Sequence, residues 1–176
     1  MTKYELDLTE FIRDVPDFPK PGILFKDITP LLASSRAFEQ TIELLAEPFI
    51  GSGITHIAGI ESRGFIFGGA LARRMDCGFV PIRKPKKLPW TTHRYEYELE
   101  YGSDALEVHD DAIRSSDRVL IVDDVLATGG TASAARALMD LFGASVHGIA
   151  VVIELEFLGG RSRLHGAEVH SLLRYS

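Results

Sequence analysis

Twice along the chain an apolar run ends in a glycine-containing turn and passes into a helical stretch, a pattern that restricts the fold more than any other feature of the sequence. ITHIAGI (54–60) leads into ESRG and a helix of about 64–76, and RVLIVDD (118–124) leads into VLATGGT and a helix of about 131–142. GFVPIR (78–83) and SVHGIAVVIEL (145–155) are two more apolar runs of strand length. Strand, turn and helix repeated in this way describe a parallel α/β sheet. Near-continuous apolar strands fit it, because helices cover both faces of a parallel sheet. The expected class is therefore α/β, a Rossmann-like parallel sheet flanked by helices. Ligands of such sheets sit outside the carboxyl ends of the strands, which directs attention to the turns after Ile60 and after Asp124.

Composition narrows the function. The 176 residues suit one domain. Hydrophobic residues at 45% and charged residues at 25% give an ordinary globular core and surface. A net charge of −6 speaks against a nucleic-acid footprint over the whole surface, since phosphate backbones need a basic field. An anionic ligand must then be held by a local cluster. Cys77 is the only cysteine, so no internal disulfide forms, and without CxxC or HExxH spacing a protein-held zinc site is not expected. MTKYELDLTEFIRDV is too acidic for a signal peptide, and the apolar runs fall short of the roughly 20 residues a bilayer requires. The expected location is cytoplasmic, with neither membrane nor nucleic acid as partner.

The flanking segments read less regularly. Thr2 and Glu5 fit a capping box, and Leu8, Phe11, Ile12 and Val15 follow at helical spacing, which predicts a short N-terminal helix. In FPKPGILFKDITP (18–30), Pro19, Pro21, Gly22 and Pro30 oppose regular structure, yet Ile23, Leu24, Phe25 and Ile28 are too apolar for a solvated loop. Such a loop packs on something or binds something. Ser34 or Ser35 can cap a second helix carrying Phe38, Ile42, Leu45 and Phe49 on one stripe. The segment 84–110 breaks the rhythm: KPKKLPWTTHR is basic and aperiodic, whereas YEYELEY alternates, with Tyr95, Tyr97, Leu99 and Tyr101 on one face and Glu96, Glu98 and Glu100 on the other. ALEVH (105–109) can pair with it across Gly102-Ser103-Asp104.

The turn after the third apolar run carries the chemistry. Val119 to Asp124 end in two adjacent acids, and Val125-Leu126-Ala127-Thr128-Gly129-Gly130-Thr131 opens a helix. Amides of Ala127 to Thr131 at a helix N-terminus favour an anion, the glycines admit a phosphate close to the backbone, and Thr128 and Thr131 add hydroxyl donors. No lysine follows the glycines as in a P-loop, and no GxGxxG is present. Two carboxylates beside a phosphate site would repel a polyanion unless they face something else, for which vicinal ribose hydroxyls are suited. This run resembles the phosphoribosyl diphosphate (PRPP) signature of the type I phosphoribosyltransferases. FPKPGILFKDITP, GIESRGFIFG (59–68), PIRKPKKLP (81–89) and YELEYG (97–102) extend the similarity, in order and spacing, to the purine members of that family.

The resemblance implies a five-stranded parallel core with a small hood and flap. It implies one phosphoribosyltransferase domain over 1–176, made of a hood with an adenine loop (1–33), a core (34–83 and 111–176) and a flexible flap (84–110). It implies Mg²⁺-dependent transfer of ribose 5-phosphate from PRPP to N9 of adenine, giving AMP and pyrophosphate, by a homodimer. Asp123, Asp124, Ala127, Thr128, Gly129, Gly130 and Thr131 would hold ribose and 5′-phosphate. Glu61, Ser62, Arg63, Arg83, Lys84, Lys87 and Tyr101 would hold pyrophosphate, with a cis peptide between Glu61 and Ser62. Leu24, Phe25 and Lys26 would surround adenine. Glu100 and Arg63 would be catalytic, Glu100 handling the purine proton; alternation alone does not separate it from Glu96 and Glu98. The metal would be held by substrate and water rather than by side chains. Adenine rests on the resemblance alone, so another purine acceptor, or a PRPP-sensing module without turnover, stays open at this point.

Overall fold

The computed structural model describes residues 6–98 and 103–176. Its contacts divide the chain into two compact units, Met1–Leu44 and Leu45–Ser176.

Over the described residues of the first unit the expected N-terminal helix is not formed. A 3₁₀ turn, Leu8–Phe11, is capped by Asp7, whose Oδ1 accepts from Thr9 N at 2.9 Å, and the chain then extends as strand β1, Arg13–Pro16. Helical spacing over so few residues does not decide between conformations, and Pro16 pushes Val15 out of the α region. The proposed capping pair Thr2 and Glu5 lies outside the described residues. The segment expected to be irregular also differs: after a turn with Gly22 at φ +86°, strand β2, Leu24–Asp27, pairs antiparallel with β1, Val15 facing Phe25. Pro19, Pro21 and Gly22 confine the break to the turn, leaving the apolar residues beyond it free to pair. Helix α1, Thr29–Ala33, takes Pro30 in its first turn, where a missing N–H costs nothing. Helix α2, Ser35–Ala46, is capped by Ser34, whose Oγ accepts from Ala37 N at 3.3 Å.

The second unit is built on five parallel strands: β3 (His56–Ile60), β4 (Gly78–Ile82), β7 (Arg118–Leu126), β8 (Ser145–Leu155) and β9 (Val169–Tyr175). Helix α3 (Gly64–Met75) joins β3 to β4, and helix α4 (Gly130–Asp140) joins β7 to β8. The order across the sheet is β4-β3-β7-β8-β9. From β3 the chain therefore crosses to one side and from β7 to the other, so the turns leaving these two neighbours diverge and open a crevice between them. Ile57, Leu120, Ile121, Ala150 and Val152 are fully buried in the strands, as are Phe67, Leu71 and Leu138 on the helices. Apart from Ala150, each such side chain contributes roughly 1.5–3 kcal/mol.

Between β4 and β7 the chain forms a hairpin of β5 (Thr92–Glu98) and β6 (Ser103–His109), with Glu98 opposite Ser103. Ser103 and Asp104, expected in the turn, thus belong to β6, and the first strand starts earlier than alternation suggested. His93 accounts for the early start, its ring meeting Phe142 edge-on at 4.8 Å. Leu106 and Val108 are buried in the core, and Arg83 exchanges backbone hydrogen bonds with Glu107. No helix of the described residues is long and apolar enough to cross a membrane.

Candidate active site

A cavity of about 330 Å³ occupies the crevice at the carboxyl ends of β3 and β7. Its two walls are the turns that follow those strands. Gly64 brings them together, since a Cβ there would lie 2.8 Å from Val122 O and 3.1 Å from Asp123 Oδ1. The peptide between Glu61 and Ser62 is cis, as the resemblance implied.

On the β7 side, Asp123, Asp124, Ala127, Thr128, Gly129, Gly130 and Thr131 all line the cavity. Gly129 adopts φ +80° and caps α4 without any side-chain hydrogen bond, and the first turn of α4 contains no acid. Its amides thus face the cavity with no protein anion competing for them. Asp123 accepts from Asp124 N at 2.8 Å. Burial, and then the neighbouring Asp124 carboxylate, hold the Asp123 carboxyl well above its ordinary range. Asp124 in turn accepts from Arg63 Nε at 2.5 Å.

On the β3 side, Glu61, Ser62, Arg63 and Lys84 line the cavity, whereas Arg83 and Lys87 sit behind them on Glu61. Arg83 Nε is 2.8 Å from Glu61 Oε2 and Lys87 Nζ 2.5 Å from Oε1. Burial pushes the Glu61 carboxyl up, but hydrogen bonds from Lys87 and Arg83 outweigh it and leave the group below its ordinary value. Ionised Glu61 can thus meet an anion only through the cations it positions. Lys84 donates to the Asp104 carboxylate and lies 3.3 Å from Tyr97 Oη. Burial lowers the Lys84 ammonium, and these two partners more than restore it, so it stays charged far above neutrality.

Three further expected residues belong to the first unit. Leu24, Phe25 and Lys26 form β2 in the first unit, where Phe25 meets Phe18 edge-on at 5.2 Å and Lys26 Nζ lies 2.6 Å from Asp14 Oδ1. Glu100 and Tyr101 fall outside the described residues. The sequence reading overlooked Gly160, Lys84's partner Asp104, and the turn after β8. A Cβ on Gly160 would meet Ala127 O at 2.1 Å, and one on Gly129 would meet Gly160 O at 2.3 Å, so two backbones lie flush. The signal available was Gly159-Gly160 directly after an apolar strand, the same grammar as the other two turns.

A parallel sheet with an anion-ready helix start facing a cationic turn across the switch point is the arrangement of a phosphoribosyl-handling enzyme. A family model described as the phosphoribosyl transferase domain matches residues 30–169. Over 164 residues, 93% of this chain and 96% of the other, the sequence is 57% identical to the adenine phosphoribosyltransferase of Methylococcus capsulatus. The crystal structure of adenine phosphoribosyltransferase from Rhodothermus marinus is 54% identical, with a TM-score of 0.92 over 96% of both chains. That from Saccharomyces cerevisiae, complexed with an imino-altritol bisphosphate and adenine, is 43% identical, with a TM-score of 0.90 over 94% of this chain and 96% of that one. The chain belongs to the adenine phosphoribosyltransferase family of phosphoribosyltransferase enzymes.

Proposed function

We propose that the chain transfers ribose 5-phosphate from PRPP to N9 of adenine, releasing pyrophosphate and forming AMP, in purine salvage. The observation that carries this reading is the cavity at the switch point, with the open N-terminus of α4 on one wall and the cations gathered around Glu61 on the other. These walls suit the two ends of PRPP, a monoester phosphate and a diphosphate separated by a ribose. The yeast relative's complex, which pairs a bisphosphate with adenine, supports the same division.

In this reading the amides of 127–131 with Thr128 and Thr131 anchor the 5′-phosphate. Asp123 and Asp124 accept from the ribose hydroxyls and favour positive charge developing on the ring. Ser62, Arg63, Lys84 and the backbone at Glu61, backed by Arg83, Lys87 and Tyr101, take the departing pyrophosphate. Leu24, Phe25 and Lys26 read adenine; with the Lys26 ammonium on Asp14, its contribution is through the backbone. Glu100 manages the purine proton. Positioning and preorganised charge supply most of the catalysis.

Among the described residues no group of three or more His, Cys, Asp or Glu side chains could hold a metal ion. Glu61 and Asp124 are already engaged by cations. In this reading Mg²⁺ would be carried by PRPP oxygens and water, and it would supply charge neutralisation to the leaving group. The hood (1–33), core (34–83 and 111–176) and flap (84–110) are proposed to act as one domain, in a cytoplasmic homodimer. Because Leu106 and Val108 are buried, β6 stays with the core in any movement of the flap.

The test is steady-state pyrophosphate release from PRPP and Mg²⁺ with adenine, guanine, hypoxanthine, xanthine or orotate. Turnover with adenine and roughly 10⁴-fold less with the others is expected, as a site built on ring-edge hydrogen bonds leaves polar groups unpaired against the wrong base. Preference for another base overturns the acceptor, and PRPP binding without turnover overturns catalysis.

A further inference from the structure

The turn after β8 packs against the glycine turn that precedes α4, and one of its two arginines has no partner among the described residues. Beyond β8 the chain makes two 3₁₀ turns, Glu156–Leu158 and Gly160–Arg163. The second lies flush with the glycine turn through the contact of Gly160 with Ala127 and Gly129. Three attachments fix it there. Arg161 grips buried Glu154, with Nε 2.9 Å from Oε1, and also donates to Val169 O at 2.8 Å. Leu164 is 2% exposed in the core. Arg136, on α4, donates to His165 O at 2.6 Å.

Between these anchors stands Arg163, exposed, with no hydrogen bond or ion pair among the described residues. Its guanidinium is not remote from the site: a Cβ built on Gly130 would lie 3.7 Å from Arg163 Nη1 and 3.9 Å from Thr128 Oγ1. Arg163 and Thr128 thus flank the first residue of α4 at the mouth of its N-terminus. The wall around that mouth otherwise offers only amides and hydroxyls, with Asp123 and Asp124 close by and a whole-chain charge of −6. A phosphate monoester carries nearly two negative charges at neutral pH. Dipoles alone leave it uncompensated, whereas a guanidinium held at hydrogen-bonding range supplies a charge-assisted fork.

We propose that Arg163 binds the 5′-phosphate of PRPP and AMP, closing the site opposite the amides of α4. This assignment rests on the function proposed above and adds a residue to it. Arg163 acts on the 5′-phosphate end alone, so it separates ligands that carry that group from ligands that do not.

The experiment measures binding of ribose 5-phosphate and of pyrophosphate separately by calorimetry, and PRPP kinetics with adenine, for the wild type, Arg163→Ala and Arg163→Lys. For Arg163→Ala, ribose 5-phosphate affinity should fall roughly 10- to 30-fold and KM for PRPP rise by a similar factor, with kcat within about threefold. Pyrophosphate affinity should stay within about twofold. Arg163→Lys, which keeps the charge but not the fork, should lie between the two. The melting temperature should not move, since the side chain bonds to nothing else. Unchanged ribose 5-phosphate affinity in Arg163→Ala, or a loss confined to pyrophosphate, overturns the proposal. A wild type that binds ribose 5-phosphate but turns over no base refutes the proposed reaction and leaves the binding arm to judge Arg163.

Discussion

Asp123, assigned to the ribose in the proposed reaction, shows how a single side chain can cost stability. Its folded carboxyl titrates well above the ordinary value of 3.8, because burial and the adjacent Asp124 both penalise the charge. A carboxyl raised on folding contributes stability that is fully present below the unfolded value and is lost as pH rises through the folded one. Above the unfolded value the free protein therefore carries a cost at this carboxyl, whether it ionises or holds its proton, that ribose hydroxyls, or positive charge on the ring, would relieve. Asp123→Asn should raise the melting temperature of the free protein by a few degrees at pH 7, leave it unchanged near pH 3, and weaken PRPP binding at both. Melting curves across that range decide the matter, and an equal shift at both ends would show that ionisation is not the cause. Such trade-offs concentrate where function requires them, which is why the paired acids were conspicuous in the sequence.

At the scale of elements, what the sequence revealed depended on whether local pattern and long-range packing agreed. β3, β7 and β8 were legible because their apolar runs exceed what a loop tolerates, and α3 and α4 because each follows a glycine turn. β9 was not assigned from its residues, as VHSLLRY mixes polar and apolar positions in the manner of an edge strand. The N-terminal helix failed because β1 gains a partner in β2, twelve residues away at Lys26 and Asp14, which local periodicity does not contain. The two turns that line the cavity were readable one by one, but the contact of the glycine turn with Gly160 was not. From sequence alone a side chain at Gly129 is expected to block only the phosphate, leaving the free fold intact. The structure corrects this: φ is +80° and the Cβ would overlap the Gly160 carbonyl. Gly129→Val should then cost about 2–4 kcal/mol of stability as well as PRPP binding. A variant that loses PRPP but melts like the wild type would show that the two backbones separate easily.

The whole molecule is an acidic protein whose proposed substrate is a polyanion, and the sheet order reconciles the two. Parallel strands end side by side, so the turns after β3 and β7 gather amides and cations at one cavity although the chain as a whole carries −6. The cations on the β3 side are held by Glu61 and Asp104, which makes the local balance close to neutral until the ligand arrives. In the proposed reaction a divalent ion brought by the substrate would complete that balance. Chelation should therefore abolish turnover while leaving the melting temperature of the free protein where it was. With Mg²⁺ present, PRPP at about a hundred times its Kd should stabilise the fold by about 2.7 kcal/mol, a rise of roughly 5–10 °C for a chain of this size. Chelator should remove most of that rise. If chelation instead lowers the melting temperature with no ligand present, the protein holds a metal itself, and the charge balance drawn here is wrong.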